Sequence, residues 1–391
     1  MKFKLKLKII CDSNIFRVIM SIFIIICLAL VIILPSILNA RPSWSVMAFN
    51  RDSSSGTREA FAEKVLDNDS FSPGFNAREV RNNDAMINAV ASNGPSVGYV
   101  SFGTIAEFEN DKPVLKKEFS DKHPNIDFAS FESQNENGEW EKYEPTLNNI
   151  KSSNYPSRNF NSFFRVRNGE DESTILNFDY DYWKNQNTDV SYIDTNNNNL
   201  KGSYLFYSWM NYSTKAGEII EEDGEISTDL ADMGGRIDFT KSTIENYTND
   251  VNLEKGSHIS VEIVGSTSAT SVVTSLTKYF QEAISPWFDY NFVIATNGSG
   301  DAFKEAVPGA TDAYIGLQSR EASEDELKSW GWTENSNSYN AFAIDAILII
   351  YNTNNTNYDE RPTTNSEILN ELYTNNKHVY YGYGDIFNVE H

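Results

Sequence analysis

Arg51-Asp52-Ser53-Ser54-Ser55-Gly56-Thr57-Arg58-Glu59-Ala60-Phe61 is the stretch whose reading decides the fold. Ahead of it residues 46–49 form an apolar, strand-like lead-in. Behind it Phe61 with Val65 and Ala62 with Leu66 recur at i, i+4, so the pattern predicts strand, polar turn and helix. Ser55, Gly56 and Thr57 fall at the helix start, where hydroxyls cap free N–H groups and glycine admits a ligand close to the main chain. Those N–H groups, the positive end of the helix dipole and the hydroxyls together favour an oxyanion. Arg51 adds a planar, always-charged fork suited to phosphate or carboxylate. Taken alone, the stretch is also what an ordinary capped helix with a solvated arginine looks like.

Repetition argues for more. Ile259, Val261 and Ile263 alternate as a strand, Gly265-Ser266-Thr267-Ser268 makes a turn, and Val272, Leu276, Phe280 and Ile284 recur every four residues. A strand over 292–295, the turn Asn297-Gly298-Ser299-Gly300 and a helix over 302–307 repeat the order. A fourth variant runs from a strand over 312–317 through Ser319-Arg320 to a helix whose Ser323 and Glu326 fit a capping box. In open α/β sheets ligands sit beyond the carboxyl ends of strands, so four such junctions predict one shared oxyanion site.

The remaining chain reads as scaffold. Residues 84–90 predict a helix ending at Asn93-Gly94-Pro95, and 97–100 a strand. Gly94-Pro95-Ser96-Val97-Gly98 matches a serine-hydrolase string, but that nucleophile needs a strand before it and a helix after it, the reverse of the order here. Residues 107–153 are charged and Asn-rich, as surface excursions are. Residues 143–158 read as an extended crossing between domains, and 179–194 with 196–199 as a low-complexity loop. Asp179 and Asp181 in that loop read as solvated rather than metal-bound. Residues 204–220 predict one packed helix, 221–257 a polar tether, 341–351 a buried strand and 352–361 a second crossing. A helix over 366–373 and the segment 381–387 close the chain.

With 391 residues, 40% hydrophobic, the chain can bury a large core and predicts two domains or lobes. A net charge of −23 argues against nucleic acid and against adhesion to anionic lipid. It leaves room for an anion held by neutral hydroxyls and backbone N–H groups. Cys11 and Cys27 are the only cysteines, and His123, His258, His378 and His391 lack metal-ligand spacing, so no disulfide in the exported part, no metal and no cofactor are expected. Lys2, Lys4, Lys6, Lys8 and Arg17 precede an apolar run over 18–38, long enough to cross a bilayer. Segment 1–40 is thus expected to be a membrane anchor with the amino terminus inside and the rest on the extracellular face. A cleaved signal peptide ending near Leu38-Asn39-Ala40 is the alternative. Ile24-Ile25-Ile26 before Cys27 lacks the small residue of a lipobox.

These residues resemble the extracellular phosphate-binding protein of the Pst-type ABC importer. Residues 51–57 are similar to that family's Arg-Asp-x-x-Ser-Gly-Thr loop, and 96–100 to its Gly-Tyr-Val strand. Residues 145–158 are similar to its Pro-Thr-x-x-Asn-Ile to Tyr-Pro to Arg crossing. Gly265-Ser266-Thr267-Ser268 and Gly298-Ser299-Gly300 look like its first two ligand turns. The resemblance spans most of the chain after the anchor, but the halves come in the opposite order, as a circular permutation or a degenerate tandem copy would give.

The resemblance implies an α/β, two-lobed, periplasmic-binding-protein-like fold of type II with a hinge, circularly permuted and preceded by one transmembrane helix. Lobe A would comprise 44–150 and 357–391, and lobe B 157–352, with the crossings as hinges. It implies inorganic phosphate as ligand, ABC permease subunits as partners and no catalysis. The implied ligand contacts are Arg51, Ser55, Gly56, Thr57, Thr267, Ser268 and Ser299, with Ser319 and Arg320. Ser319-Arg320 stands where the family often has an aspartate that accepts the proton of hydrogen phosphate; Asp301, Asp312 and Asp345 are candidates to replace it. A phosphatase or phosphoryl-transfer enzyme, or a surface interaction protein without ligand, are the rival functions.

Overall fold

The computed structural model describes residues 44–388 apart from 54, 69–70, 136, 168–172, 176–179, 186–195, 304–312, 329–338, 356–359 and 378. The expected anchor or signal segment at 1–40 lies outside the described residues. Among the described residues no helix is long and apolar enough to cross a membrane. The chain divides into two compact units, Met1–Ser45 and Val46–His391, and the regular elements below belong to the second.

β1 (Met47–Arg51) leads through the polar turn into α1 (Gly56–Ala60), which runs on as a π-helical turn over Phe61–Val65. β2 (Ala77–Val80), α2 (Asn83–Ser92) and β3 (Ser96–Ser101) follow. Asn82 caps α2 by accepting from the Ala85 N–H at 2.8 Å. Next come α3 (Phe102–Ile105), the hairpin β4 (Ala106–Glu109) and β5 (Lys112–Leu115), α4 (Lys117–Lys122), β6 (Ile126–Phe128), β7 (Ser130–Gln134), β8 (Trp140–Tyr143) and α5 (Leu147–Lys151). The expected surface excursion over 107–153 is therefore folded, with Ile126, Phe128 and Phe131 in the core. Its charges occupy outward positions such as those of β8. The crossing at 143–158 is not extended throughout: α5 interrupts it, and Ser157 already opens β9 (Ser157–Arg167).

β10 (Ser173–Ile175) and α6 (Tyr180–Asn185) come next. The reading of 179–194 as loop is corrected by α6, which buries Tyr182 and Trp183; residues 186–195 are outside the described set. The single helix expected over 204–220 is two, α7 (Asn198–Tyr212) and α8 (Thr214–Asp223). Ser213 stays extended between them and caps α8 by accepting from the Lys215 N–H at 3.1 Å. α7 is buried from Leu200 to Tyr212 on all sides, as a central helix must be. The 221–257 tether is likewise corrected. β11 (Ile226–Ser227) pairs with a later strand, and α9 (Lys241–Asp250) drives Tyr247 into the core, 4.9 Å from the Trp183 ring.

β12 (His258–Gly265), α10 (Thr270–Ile284), β13 (Asp289–Ala295), β14 (Ala313–Gln318), α11 (Glu324–Lys328), β15 (Tyr339–Asn352), β16 (Thr363–Asn365), α12 (Ser366–Thr374) and α13 (Tyr383–Ile386) complete the chain. Ser299–Phe303 is a 3₁₀ turn, and most of the helix expected at 302–307 lies outside the described residues.

Among the described residues eleven strands form one sheet, with the path β13-β12-β14-β9-β15-β3-β1-β2. β12 is parallel to β13 and β14, and β1 is parallel to β2 and β3. The two parallel groups are joined by antiparallel β9 and β15. Two hydrophobic cores result. One gathers α7, α8 and α10 with β12 to β14, around Phe206, Phe280 and Ile315; the other gathers α2 and α12 with β1 and β3, around Phe61, Tyr99 and Tyr373. β15 serves both: Phe342 and Ala343 belong to the first core, Ala346 to Tyr351 to the second. β15 therefore spans both cores, and Ile226 of β11 also packs in the second.

Candidate functional site

Four strand ends carry the serine-rich turns. At the first, Ser55 keeps an extended backbone (φ −80, ψ 117), and its Oγ accepts from the Arg58 N–H at 3.3 Å, which fixes Gly56 as the first helical residue. Tyr99 braces the turn by accepting from the Arg51 N–H at 3.0 Å and donating to Asn50 Oδ1 at 2.6 Å. Phe61 stacks on its ring at 3.8 Å.

At the second, Ser266 is buried and accepts from the Ser268 N–H at 3.2 Å. Gly265 before it has φ +127, and a Cβ there would lie 2.1 Å from the Leu317 carbonyl oxygen, so only glycine fits. The third turn is tied to the second by Gly298 N–H donating to the Gly265 carbonyl at 2.9 Å. The fourth is tied to the third: Ser299 and Ser319 hydroxyls are 3.0 Å apart, and the Ser319 N–H donates to Ser299 Oγ at 3.1 Å.

These turns meet the first one at Gly56. A Cβ on Gly56 would lie 2.6 Å from Ser268 Oγ and 2.9 Å from Ser319 Oγ. Residues 268, 299 and 319, from the turns after β12, β13 and β14, thus face the mouth of α1. A cavity of about 400 Å³ opens here, lined by Ser53, Ser55, Gly56, Arg58, Ser299 and Asp301 among others. Thr57 is buried beside Gly56.

Of the expected contacts Ser55, Gly56 and Ser299 line the cavity; Thr57, Ser268 and Ser319 pack beside it, and Arg51, Thr267 and Arg320 are placed differently. Thr267 is exposed and is not part of the cavity lining. The Arg51 guanidinium is half-buried and donates through Nη1 to Asn83 Oδ1, and Asn83 donates on to Thr104 Oγ1 at 3.1 Å. Burial lowers the Arg51 pKa; Tyr99 and Asp52 oppose that shift and the Arg158 charge adds to it. Arg51 Nε is buried without a hydrogen-bond partner, a donor still free for an acceptor. The guanidinium that does line the cavity is Arg58, which stacks at 5.1 Å on Phe71 and donates to the Arg51 carbonyl at 3.3 Å. It stands three residues after Ser55 in the opening stretch, so helical spacing was the available signal.

Arg320 is bidentate on Glu326 at 2.6 and 2.7 Å and reaches Glu59 of α1 at 3.2 Å. Glu326 and Ser323 also make the expected capping box, at 2.9 and 3.2 Å. Arg320 therefore fastens the strap after β14 to α1. Each half-exposed pair contributes about 1 kcal/mol or less. Arg320→Gln is expected to weaken oxyanion binding by less than about tenfold in calorimetry, whereas loss of a buried contact to a charged ligand costs about 1.5 to 3 kcal/mol.

Behind Gly56 lies a buried ion pair that sequence reading missed. Arg158 of β9 and Asp345 of β15 are cross-strand neighbours with side chains 1% and 0% exposed. Arg158 Nε and Nη2 donate to Asp345 Oδ2 at 3.1 and 2.7 Å, and Ser101 donates to the same oxygen at 2.8 Å. Arg158 Nη1 donates to the Gly56 carbonyl at 2.5 Å. Both joining strands thus hold the peptide at the mouth of α1. Of the three candidate proton acceptors, Asp301 lines the cavity, Asp345 is committed to Arg158, and Asp312 is outside the described residues.

The serine-hydrolase string does not expose its serine. Ser96 is fully buried in β3 and donates to the Val90 carbonyl at 3.0 Å. Among the described residues no group of His, Cys, Asp and Glu is placed to hold a metal ion.

No family model and no curated protein matches the sequence. Among solved structures the chain is similar to the phosphate-binding protein of a phosphate ABC transporter from Streptococcus pneumoniae, with a TM-score of 0.53 and 17% identity over 88% of this chain and 98% of that one. At that identity the likeness shows the fold alone, a mixed α/β architecture.

Proposed function

We propose that this chain captures inorganic phosphate and delivers it to an ABC permease at the extracellular face of the membrane, held there by its amino-terminal segment. The observation that carries the reading is the packing of Ser268 and Ser319 against Gly56, with Ser299 bonded to Ser319, which gathers the turns after β12, β13 and β14 at the mouth of α1 beside a cavity lined by Ser55, Gly56 and Ser299. Arg58 on the wall supplies positive charge suited to an oxyanion. The proposed contacts are Ser55, Gly56, Ser299 and Arg58 on the cavity wall, with Thr57, Ser268 and Ser319 packed beside it; Arg51 is held by Asn83, and Arg320 acts as a fastener. The likeness to a protein named as phosphate-binding supports the same reading.

The order of the halves is read as a circular permutation. Val46 N–H at the start of β1 donates to the Tyr381 carbonyl at 2.7 Å, so the closing segment lies beside β1, which supports new ends opened between Phe387 and Ser45 of an unpermuted chain.

Asp301 is assigned the proton of hydrogen phosphate. Titration calorimetry of the full chain with phosphate and sulfate tests this. Phosphate is expected to bind with micromolar affinity, about −8 kcal/mol, and sulfate much more weakly. Asp301→Asn should lower phosphate affinity at least tenfold and leave sulfate unchanged. Silence with both anions would end the proposal, and equal affinities would end the selectivity claim.

A further inference from the structure

A second cavity, of about 470 Å³, lies away from the serine turns, where α8 and β11 meet α3, β4 and α5. Glu107, Asp111, Glu221, Glu222 and Glu225 line it against a single cation, Lys116. Lys116 is engaged, its Nζ donating to the Gly103 carbonyl at 2.6 Å. The walls between the carboxylates are apolar: Phe102 and Phe108 stack at 4.4 Å, and Leu147 and Ile226 complete the lining.

Beside the lining residue Gly224 the chain packs closely on itself, since a Cβ on Gly103 would lie 2.6 Å from the Gly224 carbonyl oxygen. Phe102 and Ile226 belong to one core, while Ile219 and Ile220 of α8 belong to the other. The apolar part of the lining, Phe102, Phe108, Leu147 and Ile226, belongs to or packs on the second core.

Glu225 points to what that occupant is. Its carboxylate head is deeply buried, and Oε2 has no hydrogen-bond partner. Asp223 next to it is satisfied at only one oxygen, by Ser275 at 2.8 Å, while its Oδ2 is buried and unpaired. Buried carboxylate oxygens without donors are costly and rare in folded proteins. Burial first, then the charges of Asp345 and Asp223, hold the Glu225 pKa well above the ordinary carboxylate range. The cavity is thus short of positive charge and of N–H donors. The carboxylates are dispersed around its wall, and no group of them is placed to hold a metal ion among the described residues.

We propose that this cavity binds an alkyl diammonium or polyammonium ion, with one ammonium group on Glu225 and another among the rim carboxylates. The methylene spacer lies along Phe102, Phe108 and Leu147, where apolar burial favours it. A monoammonium ion fills one end only, and a diol of the same length brings no charge. The site is independent of the oxyanion reading, and its failure would leave that reading untouched.

The test is calorimetry of the full chain at low ionic strength with 1,4-diaminobutane, spermidine, butylamine and 1,4-butanediol. Saturable binding of the diamine and of spermidine is expected, at least tenfold tighter than butylamine, with no heat from the diol. Glu225→Gln, close in shape to the protonated acid, should weaken diamine binding at least tenfold while phosphate heats stay unchanged. Glu107→Gln, at an exposed rim position, provides a second variant with a smaller expected loss. Absence of saturable diamine binding, equal binding of butylamine, or full binding by Glu225→Gln would each overturn the assignment.

Discussion

Gly56→Leu is expected to lose oxyanion binding by at least a hundredfold, about 2.8 kcal/mol, while the protein stays folded. Gly56 sits at the first position of a helix and not in the left-handed region, so its backbone accepts a side chain. What the side chain meets is the opposite wall, with Ser268 Oγ and Ser319 Oγ at 2.6 and 2.9 Å from the first added carbon. A methyl group displaces two rotatable hydroxyls, so Gly56→Ala should lose about tenfold. Leucine cannot be accommodated by rotating them and must separate α1 from the turns after β12 and β14. Calorimetry with phosphate reads the series, and thermal melting checks the fold. Unchanged binding by Gly56→Leu would remove this cavity mouth from the site.

The second large effect concerns Arg158 and Asp345. Arg158→Met leaves Asp345 charged, buried and short of donors, and should destabilise the protein by about 3–5 kcal/mol in urea unfolding. The double variant Arg158→Met with Asp345→Leu removes both charges and should recover much of that stability, because a buried pair replaced by apolar groups is often neutral or better. Binding separates the two roles of Arg158. If it holds the Gly56 carbonyl in place for the ligand, phosphate affinity stays reduced in the double variant although stability returns. Recovery of both together would make the pair purely structural.

The four turns were legible because their signals are local: small hydroxylated residues between an alternating apolar strand and a four-residue apolar repeat. Gly265 and Gly56 were legible for the same reason, since each marks a close approach visible as a lone glycine at a helix mouth. The direction of Arg51 was not, because its partner Asn83 lies in another helix and only the folded register brings them together. The pairing of Arg158 with Asp345 was hidden in the same way, since Arg158 is one of three arginines in β9 and Asp345 the lone charge of β15 until the two strands pair. α9 escaped because Tyr247 carries most of its burial and no apolar repeat surrounds it. The division of β15 between two cores has no sequence marker at all, since 341–351 is apolar throughout except for Asp345.

That shared strand bears on how the molecule comes apart. Fourteen consecutive residues lend their amide groups to β9 on one stretch and to β3 on the next, while their side chains are split between two oily interiors. Melting either interior strips partners from the other, so the halves cannot behave as separate foldons. A proteolytic nick within β15 would therefore undo both at once, and neither half expressed alone would retain a complete sheet.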